Sequence, residues 1–128
     1  KAAQIFAPGD HASTFGGNPL ATAAALAAVE VIEDGLVQNC ADVGAYLLDQ
    51  LAALKKRYPV IRDIRGRGLL IGVELNQPAG DVVAACREKG LLILTAGQYT
   101  LRFLPPLLIT REHVDQALEI LASSLELC

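Results

Sequence analysis

The residues richest in chemistry stand together near the start of the chain, in His11-Ala12-Ser13-Thr14-Phe15-Gly16-Gly17-Asn18-Pro19-Leu20. Two hydroxyls and a glycine pair come directly before what reads as a helix start. Asn18 suits the N-cap, where its side-chain oxygen accepts an orphan backbone N–H. Pro19 suits the first helical position, where its missing N–H costs nothing. A flexible turn with hydroxyls ahead of a helix N-terminus can hold an anion, phosphate in particular. The plainer alternative is local: a capped helix preceded by a serine or threonine turn.

Arg102 is the second candidate, in Leu101-Arg102-Phe103-Leu104-Pro105-Pro106-Leu107. A permanent charge within an apolar strand needs a partner. The planar guanidinium is well suited to gripping a carboxylate at two points. The competing readings are a structural ion pair with a local acid and a solvent-facing arginine. Arg65-Gly66-Arg67-Gly68-Leu69-Leu70-Ile71-Gly72-Val73-Glu74 is taken as structural, a hairpin with glycines at a crowded turn and Gly72 permitting close packing. His11 reads as a structural or rim residue and His113 as a surface residue of the last helix. Neither has a base or metal partner in the pattern, and the sequence nominates no catalytic residue and no metal ligand.

These residues must be positioned by elements that the apolar periodicity outlines. A first helix, rich in alanine, runs from about Pro19 to Asp34, with Gly35 as its stop. A second covers about Leu36 to Arg57: Leu36, Cys40, Val43, Leu47, Leu51 and Leu54 share one face. Lys55, Lys56 and Arg57 complement its C-terminal dipole, and Pro59 prevents continuation. Val60 to Arg65 and Leu69 to Leu75 read as strands joined through Gly66-Arg67-Gly68. In the second of them Leu69, Ile71, Val73 and Leu75 alternate toward one buried face. A short helix spans Gly80 to Lys89 and Gly90 closes it. Leu91 to Leu94 and Tyr99 to Leu104 are two more strands, around a turn at Ala96-Gly97-Gln98. Thr110 is a candidate cap for the last helix, with His113 where a capping box would carry Glu or Gln, so the box is expected to be incomplete. Val114, Leu118, Leu121 and Leu125 form its buried stripe. The order α-α-β-β-α-β-β-α with short turns predicts an α+β fold, a mainly antiparallel sheet with helices on one face.

Composition bounds the rest. Length fits one domain able to bury a sizeable core. Hydrophobic residues make up 52% and aromatics only 5%, so alanine and leucine carry the apolar content. A net charge of −3 gives no support for nucleic-acid binding. No apolar run reaches transmembrane length. The three cysteines, Cys40, Cys86 and Cys128, are far apart and have no metal spacing. An odd count of that kind fits a reducing, cytoplasmic setting.

Gly9-Asp10-His11 followed by Ser13 to Leu20 resembles the H-G-[ST]-T-[FY]-G-G-N-P-L-A segment of the class III aminotransferases. It is most similar to that of the acetylornithine aminotransferases. Arg65 to Glu74 is similar to the family's R-G-[KR]-G-L-[ML]-x-G-[IV]-E, and Arg102 to Leu107 to its R-F-x-P-P-L. Ala12 departs from the pattern, standing where the family has Gly; at a position requiring φ > 0 it would add strain.

The resemblance implies the small C-terminal domain of a fold-type I enzyme that uses pyridoxal 5'-phosphate. Residues 1–17 would be the tail of an upstream cofactor domain, and residues 18–128 the small domain with its linking helix. Thr14 would contact the cofactor phosphate of the neighbouring subunit of a homodimer, and Ser13 would lie beside the substrate. Arg102 would meet a substrate carboxylate or a glutamate of the large domain. The implied parent reaction is amino transfer between N-acetylornithine and 2-oxoglutarate in arginine biosynthesis. Ornithine, succinylornithine and 4-aminobutyrate aminotransferases share the motifs. None of Lys1, Lys55, Lys56 and Lys89 fits the lysine that attaches the cofactor, so the resemblance covers only the C-terminal part of the family and the chain alone is expected to be inactive. A non-catalytic α+β module for dimerisation or ligand sensing is the alternative. Neither nucleic acid nor membrane is implied as a partner.

Overall fold

The computed structural model describes residues 5–127, so Lys1 and Cys128 lie outside the described residues. The chain divides into two compact units, one up to Asp34 and one from Gly35 onward.

The first unit holds the loop before the first helix and the helix itself, α1 (Pro19–Val31). Asn18 is in extended backbone (φ −68°, ψ 156°) and its side chain caps the Ala21 N–H, with Pro19 opening the helix. No residue of α1 is buried. The expected end at Asp34 is corrected. The α-helix stops at Val31, and a π-helical turn, Ile32–Leu36, leads into the next helix. Gly35 is where the path changes: its φ of +88° is open to glycine at no steric cost.

The second unit carries the core. Helix α2 (Val37–Arg57) buries Val43, Gly44, Leu47, Leu51 and Leu54 along one face. It ends as expected before Pro59, with Tyr58 leaving helical geometry (φ −120°, ψ 93°). Strands β1 (Ile61–Arg67), β2 (Leu70–Leu75), β3 (Leu94–Thr95) and β4 (Thr100–Phe103) form one sheet in the order β1-β2-β4-β3. Every pairing is antiparallel. Helices α3 (Gly80–Glu88) and α4 (Arg111–Leu125) complete the unit. Leu69, Ile71, Val73 and Leu75 are buried with Leu101, Phe103, Leu47, Leu51, Val114 and Leu121 in one cluster. The α+β architecture is therefore present, with the helices of this unit packed on one face of the sheet.

Three local expectations change. The β1–β2 connection is Gly68-Leu69, because Arg67 pairs with Leu70 and Gly66 with Ile71 inside the ladder. Gly68 has φ +55°, as a two-residue hairpin requires at its first turn position. Leu91 to Ile93 do not join the sheet. Gly90 (φ +90°) ends α3, and the Leu91 N–H is spent on the Cys86 carbonyl (2.9 Å), a helix-terminating bond that holds this stretch away from β4. Finally, His113 does complete the cap of α4. Its Nδ1 accepts from the Thr110 N–H at 3.1 Å and sits 2.9 Å from the Thr110 hydroxyl, so an imidazole nitrogen does what a carboxylate usually does.

Two long-range contacts fix α2 on the sheet and on the loop after β4. Gly44 lies directly over the hairpin turn. A Cβ placed on it would come 2.3 Å from the Gly68 carbonyl oxygen and 2.7 Å from the Gly68 Cα. Asn39 donates from Nδ2 to the carbonyls of Leu107 (2.6 Å) and Ile109 (3.1 Å), pinning the segment that follows Pro105-Pro106. Among the described residues no helix is long and apolar enough to cross a membrane.

Candidate functional site

The loop of the first unit is held by its own polar groups. Asp10 closes a turn onto Ala7: its carboxylate accepts from the Ala7 N–H at 2.8 Å, and its N–H donates to the Ala7 carbonyl at 3.1 Å. The His11 ring packs edge-on against Phe6, with centroids 5.5 Å apart, which fits a structural role. Ala12 is not in the left-handed region, where only glycines stand among the described residues, so alanine brings no backbone strain there.

Ser13 and Thr14 then part ways. Ser13 Oγ accepts from the Gly16 N–H at 2.9 Å, the local serine turn. That turn needs Gly16, whose Cβ would otherwise lie 2.7 Å from Ser13 Oγ. Asn18 is also used locally. Its Nδ2 donates to the Phe15 carbonyl, and its Oδ1 accepts from the Ala21 N–H at 3.0 Å. The Thr22 hydroxyl bonds back to the Asn18 carbonyl at 3.0 Å. Thr14 is exposed, and its hydroxyl has no hydrogen-bond partner among the described residues. It is the one hydroxyl of the loop that takes no part in a hydrogen bond among the described residues, ahead of a capped helix N-terminus.

Arg102 belongs to the second unit, on the sheet face away from the helices. Register places Arg65, Gly72, Arg102 and Leu94 in one row across the four strands. Glu74, the acid nearest this row in the ladder, is already engaged. It binds Arg65 at 2.7 Å and lies 3.7 Å from Arg62. Arg65 also holds Asp63 at 3.0 Å, and this guanidinium keeps the Asp63 carboxyl below the usual carboxylate range. Arg102 gains no acid. Its Nε is buried and has no hydrogen-bond partner among the described residues. The local ion pair weighed as an alternative for Arg102 is absent among the described residues. Arg102 also lines an apolar cavity of about 360 Å³, together with Leu47, Ile93, Phe103, Pro105 and Val114.

Of the lysines in the described residues, Lys55 and Lys56 end α2 in solvent, and Lys89 donates to Ser123 Oγ at 2.8 Å. Gly44 and Asn39 escaped the sequence reading because their partners lie far along the chain, at Gly68 and at Leu107 and Ile109. A glycine in the middle of an otherwise good helix was the available signal for the first.

Comparison with known proteins decides the family. The class-III aminotransferase family matches residues 1–125. The chain belongs to the class-III aminotransferases. The acetylornithine aminotransferase of Caldanaerobacter subterraneus subsp. tengcongensis is 47% identical over 119 residues, 91% of this chain and 30% of that protein. The ornithine aminotransferase of Staphylococcus carnosus is 48% identical over 116 residues, 90% of this chain and 29% of that protein. Among solved structures, Plasmodium falciparum ornithine δ-aminotransferase matches with a TM-score of 0.86 and 35% identity, over 98% of this chain and 33% of that one. Acetylornithine aminotransferase from Elizabethkingia anophelis matches with a TM-score of 0.84 and 31% identity, again over 98% and 33%. This class-III aminotransferase chain thus spans about 30% of the length of the relatives it matches. Its α+β fold is that of the corresponding part of those enzymes.

Proposed function

We propose that this chain is the C-terminal part of an acetylornithine-type aminotransferase, with residues 1–17 ending an upstream cofactor domain and residues 18–128 forming the small domain. The parent would move an amino group between the δ-amine of N-acetylornithine and 2-oxoglutarate, a step of arginine biosynthesis, in the cytoplasm and as a homodimer. Relatives named for ornithine are as similar as those named for acetylornithine, so ornithine is the competing amino donor. The observation that carries the reading is the Thr14 hydroxyl, left unpartnered among the described residues while Ser13, Asn18 and Thr22 around it are consumed by turn and cap.

The residues present fit pyridoxal 5'-phosphate at its phosphate end. Thr14 can donate its O–H to a phosphate oxygen, and the position ahead of the α1 N-terminus favours a negative charge. When bound, the cofactor supplies the carbonyl that takes up the amino group and a ring that draws off electron density. Its attaching lysine is assigned to the part of the enzyme beyond this chain's share of the relatives' length. Ser13 keeps a hydroxyl hydrogen free to donate to substrate while its oxygen accepts from Gly16. Arg102 orients a carboxylate by a two-point grip.

The phosphate assignment is tested by Thr14→Val and Thr14→Ser in the full-length protein, reading cofactor affinity by absorbance titration. A hydrogen bond to a charged group contributes enough for the valine variant to bind the cofactor about tenfold or more weakly. The serine variant should stay near wild type. Equal affinity in all three proteins would refute the assignment.

A further inference from the structure

The stretch that joins β4 to α4, residues 104–110, has little backbone support of its own. Pro105 and Pro106 have no N–H to give. The Ile109 N–H reaches the Pro106 carbonyl at 3.3 Å, and α2 supplies the two Asn39 bonds to the carbonyls of Leu107 and Ile109. Its far end is tied to α4 through His113 Nδ1, which lies 3.1 Å from the Thr110 nitrogen and 2.9 Å from the Thr110 hydroxyl. Pro105, Pro106, Ile109, His113 and Val114 also line the apolar cavity of about 360 Å³, so this strap forms part of the cavity wall.

The tie depends on the protonation state of one ring. A backbone N–H only donates, so Nδ1 must carry a lone pair to accept it, and the neutral ring then holds its proton on Nε2. A proton added at Nδ1 removes that lone pair. The Thr110 hydroxyl can turn and accept from the new N–H, but the Thr110 backbone N–H loses this acceptor. The new positive charge also stands in the first turn of α4, where the helix dipole disfavours it. Glu or Gln, the usual residues at this place of a capping box, keep an acceptor oxygen throughout the range in which histidine titrates.

Charged and titratable neighbours of the ring come from α4, α2 and β4. On α4, Glu112 precedes it, and the Thr110 hydroxyl holds the Glu112 carboxyl below the usual carboxylate range, so it stays ionised while histidine titrates. Arg111 stacks on the Tyr46 ring of α2 at 5.1 Å, and Asp115 accepts from the Tyr46 hydroxyl at 2.7 Å. Of the residues that line the cavity with His113, Leu47 of α2 and residues 91–94 are apolar, and Arg102 of β4 carries a charge.

We infer that His113 is a proton-sensitive tie at the end of this strap. Neutral, it caps α4 and fastens the strap at the cavity wall. Protonated, it releases the Thr110 N–H and loosens the turn from Thr110 to His113, while Asn39 still holds the middle of the strap on α2. The tie is present above the range in which histidine titrates and is lost as pH falls through it. This rests on the cap geometry and not on the proposed function.

Hydrogen exchange read by mass spectrometry on the full-length protein tests it without cofactor or turnover. Peptides covering residues 107–116 are followed at about pH 8 and about pH 5.5, with exchange times corrected for the intrinsic rate. Wild type should lose protection there about fivefold at the lower pH, the scale of one helix-capping interaction. His113→Gln puts an amide acceptor at the same place and should stay protected at both. His113→Ala should be poorly protected at both. Unchanged peptides from α2 and β2 report that each protein is folded. Equal wild-type protection at the two pH values would overturn the inference. So would a loss in His113→Gln as large as in wild type, or a His113→Ala protein as protected as wild type at the higher pH.

Discussion

Gly44→Ala should be among the most damaging single-methyl additions to this chain. The added Cβ would meet three backbone atoms of Gly68, its carbonyl oxygen at 2.3 Å, its carbonyl carbon at 2.4 Å and its Cα at 2.7 Å. Backbone cannot rotate away as a side-chain tip can, so α2 must lift from the hairpin or the β1–β2 turn must deform. Gly68 is itself held at φ +55° and touched by Cys40, with a Cβ there falling 2.8 Å from Cys40 Sγ, so the turn has little room to move. Overpacking of a tight contact commonly costs 1–3 kcal/mol, and a backbone clash on this scale belongs at about 3 kcal/mol. For a unit of this size that corresponds to a fall of about 15 °C in melting temperature. Gly80→Ala is the matched control: a Cβ at Gly80 meets nothing within 4 Å, and its φ is not in the left-handed region. It should be neutral or slightly stabilising through the unfolded chain. Thermal unfolding followed by circular dichroism checks both. A Gly44→Ala protein melting within about a degree of wild type would show that α2 does not sit on the hairpin as described.

Arg102→Ala is expected to separate function from stability. Because Arg102 has no acid partner among the described residues, its removal should leave melting nearly unchanged. In the full-length enzyme the same change should lower kcat/KM for the carboxylate-bearing substrate about a hundredfold, the scale seen when one partner of a buried charged pair is removed. Arg102→Lys keeps the charge without the planar fork and should recover only part of the loss. Steady-state kinetics on both variants provides the check. Large destabilisation with unaltered kinetics would return Arg102 to a structural role.

Much of this was legible in the residues. The alternation Leu69-Ile71-Val73-Leu75 marked the buried face of β2, and Asn18-Pro19 marked the start of α1, because both signals are local. What escaped depends on partners far along the chain or on competing hydrogen bonds. Gly35 was read as a stop, yet the chain continues helically through a π turn around it. Leu91 to Ile93 has a strand's composition, but the cap of α3 takes the Leu91 N–H. His113 was discounted as a capping residue, although an unprotonated ring nitrogen accepts a hydrogen bond as a carboxylate does. In the site, the hydroxyl pair at Ser13-Thr14 was visible, but the division of labour between them was not. It depends on Gly16 approaching Ser13 closely enough for the local turn, which leaves Thr14 over. Arg67 was read as part of a turn. Its place inside β1, on the same face as Arg65, emerges only once Arg67 is seen to pair with Leu70.

The most direct measurement is turnover of N-acetylornithine and 2-oxoglutarate with added pyridoxal 5'-phosphate, run side by side on the 128-residue chain and on the full-length protein. The full-length protein should transaminate, and the 128-residue chain should not exceed the rate of free cofactor. Enzymatic turnover by the 128-residue chain would contradict the account, as would a folded, cofactor-loaded full-length protein that turns over neither N-acetylornithine nor ornithine.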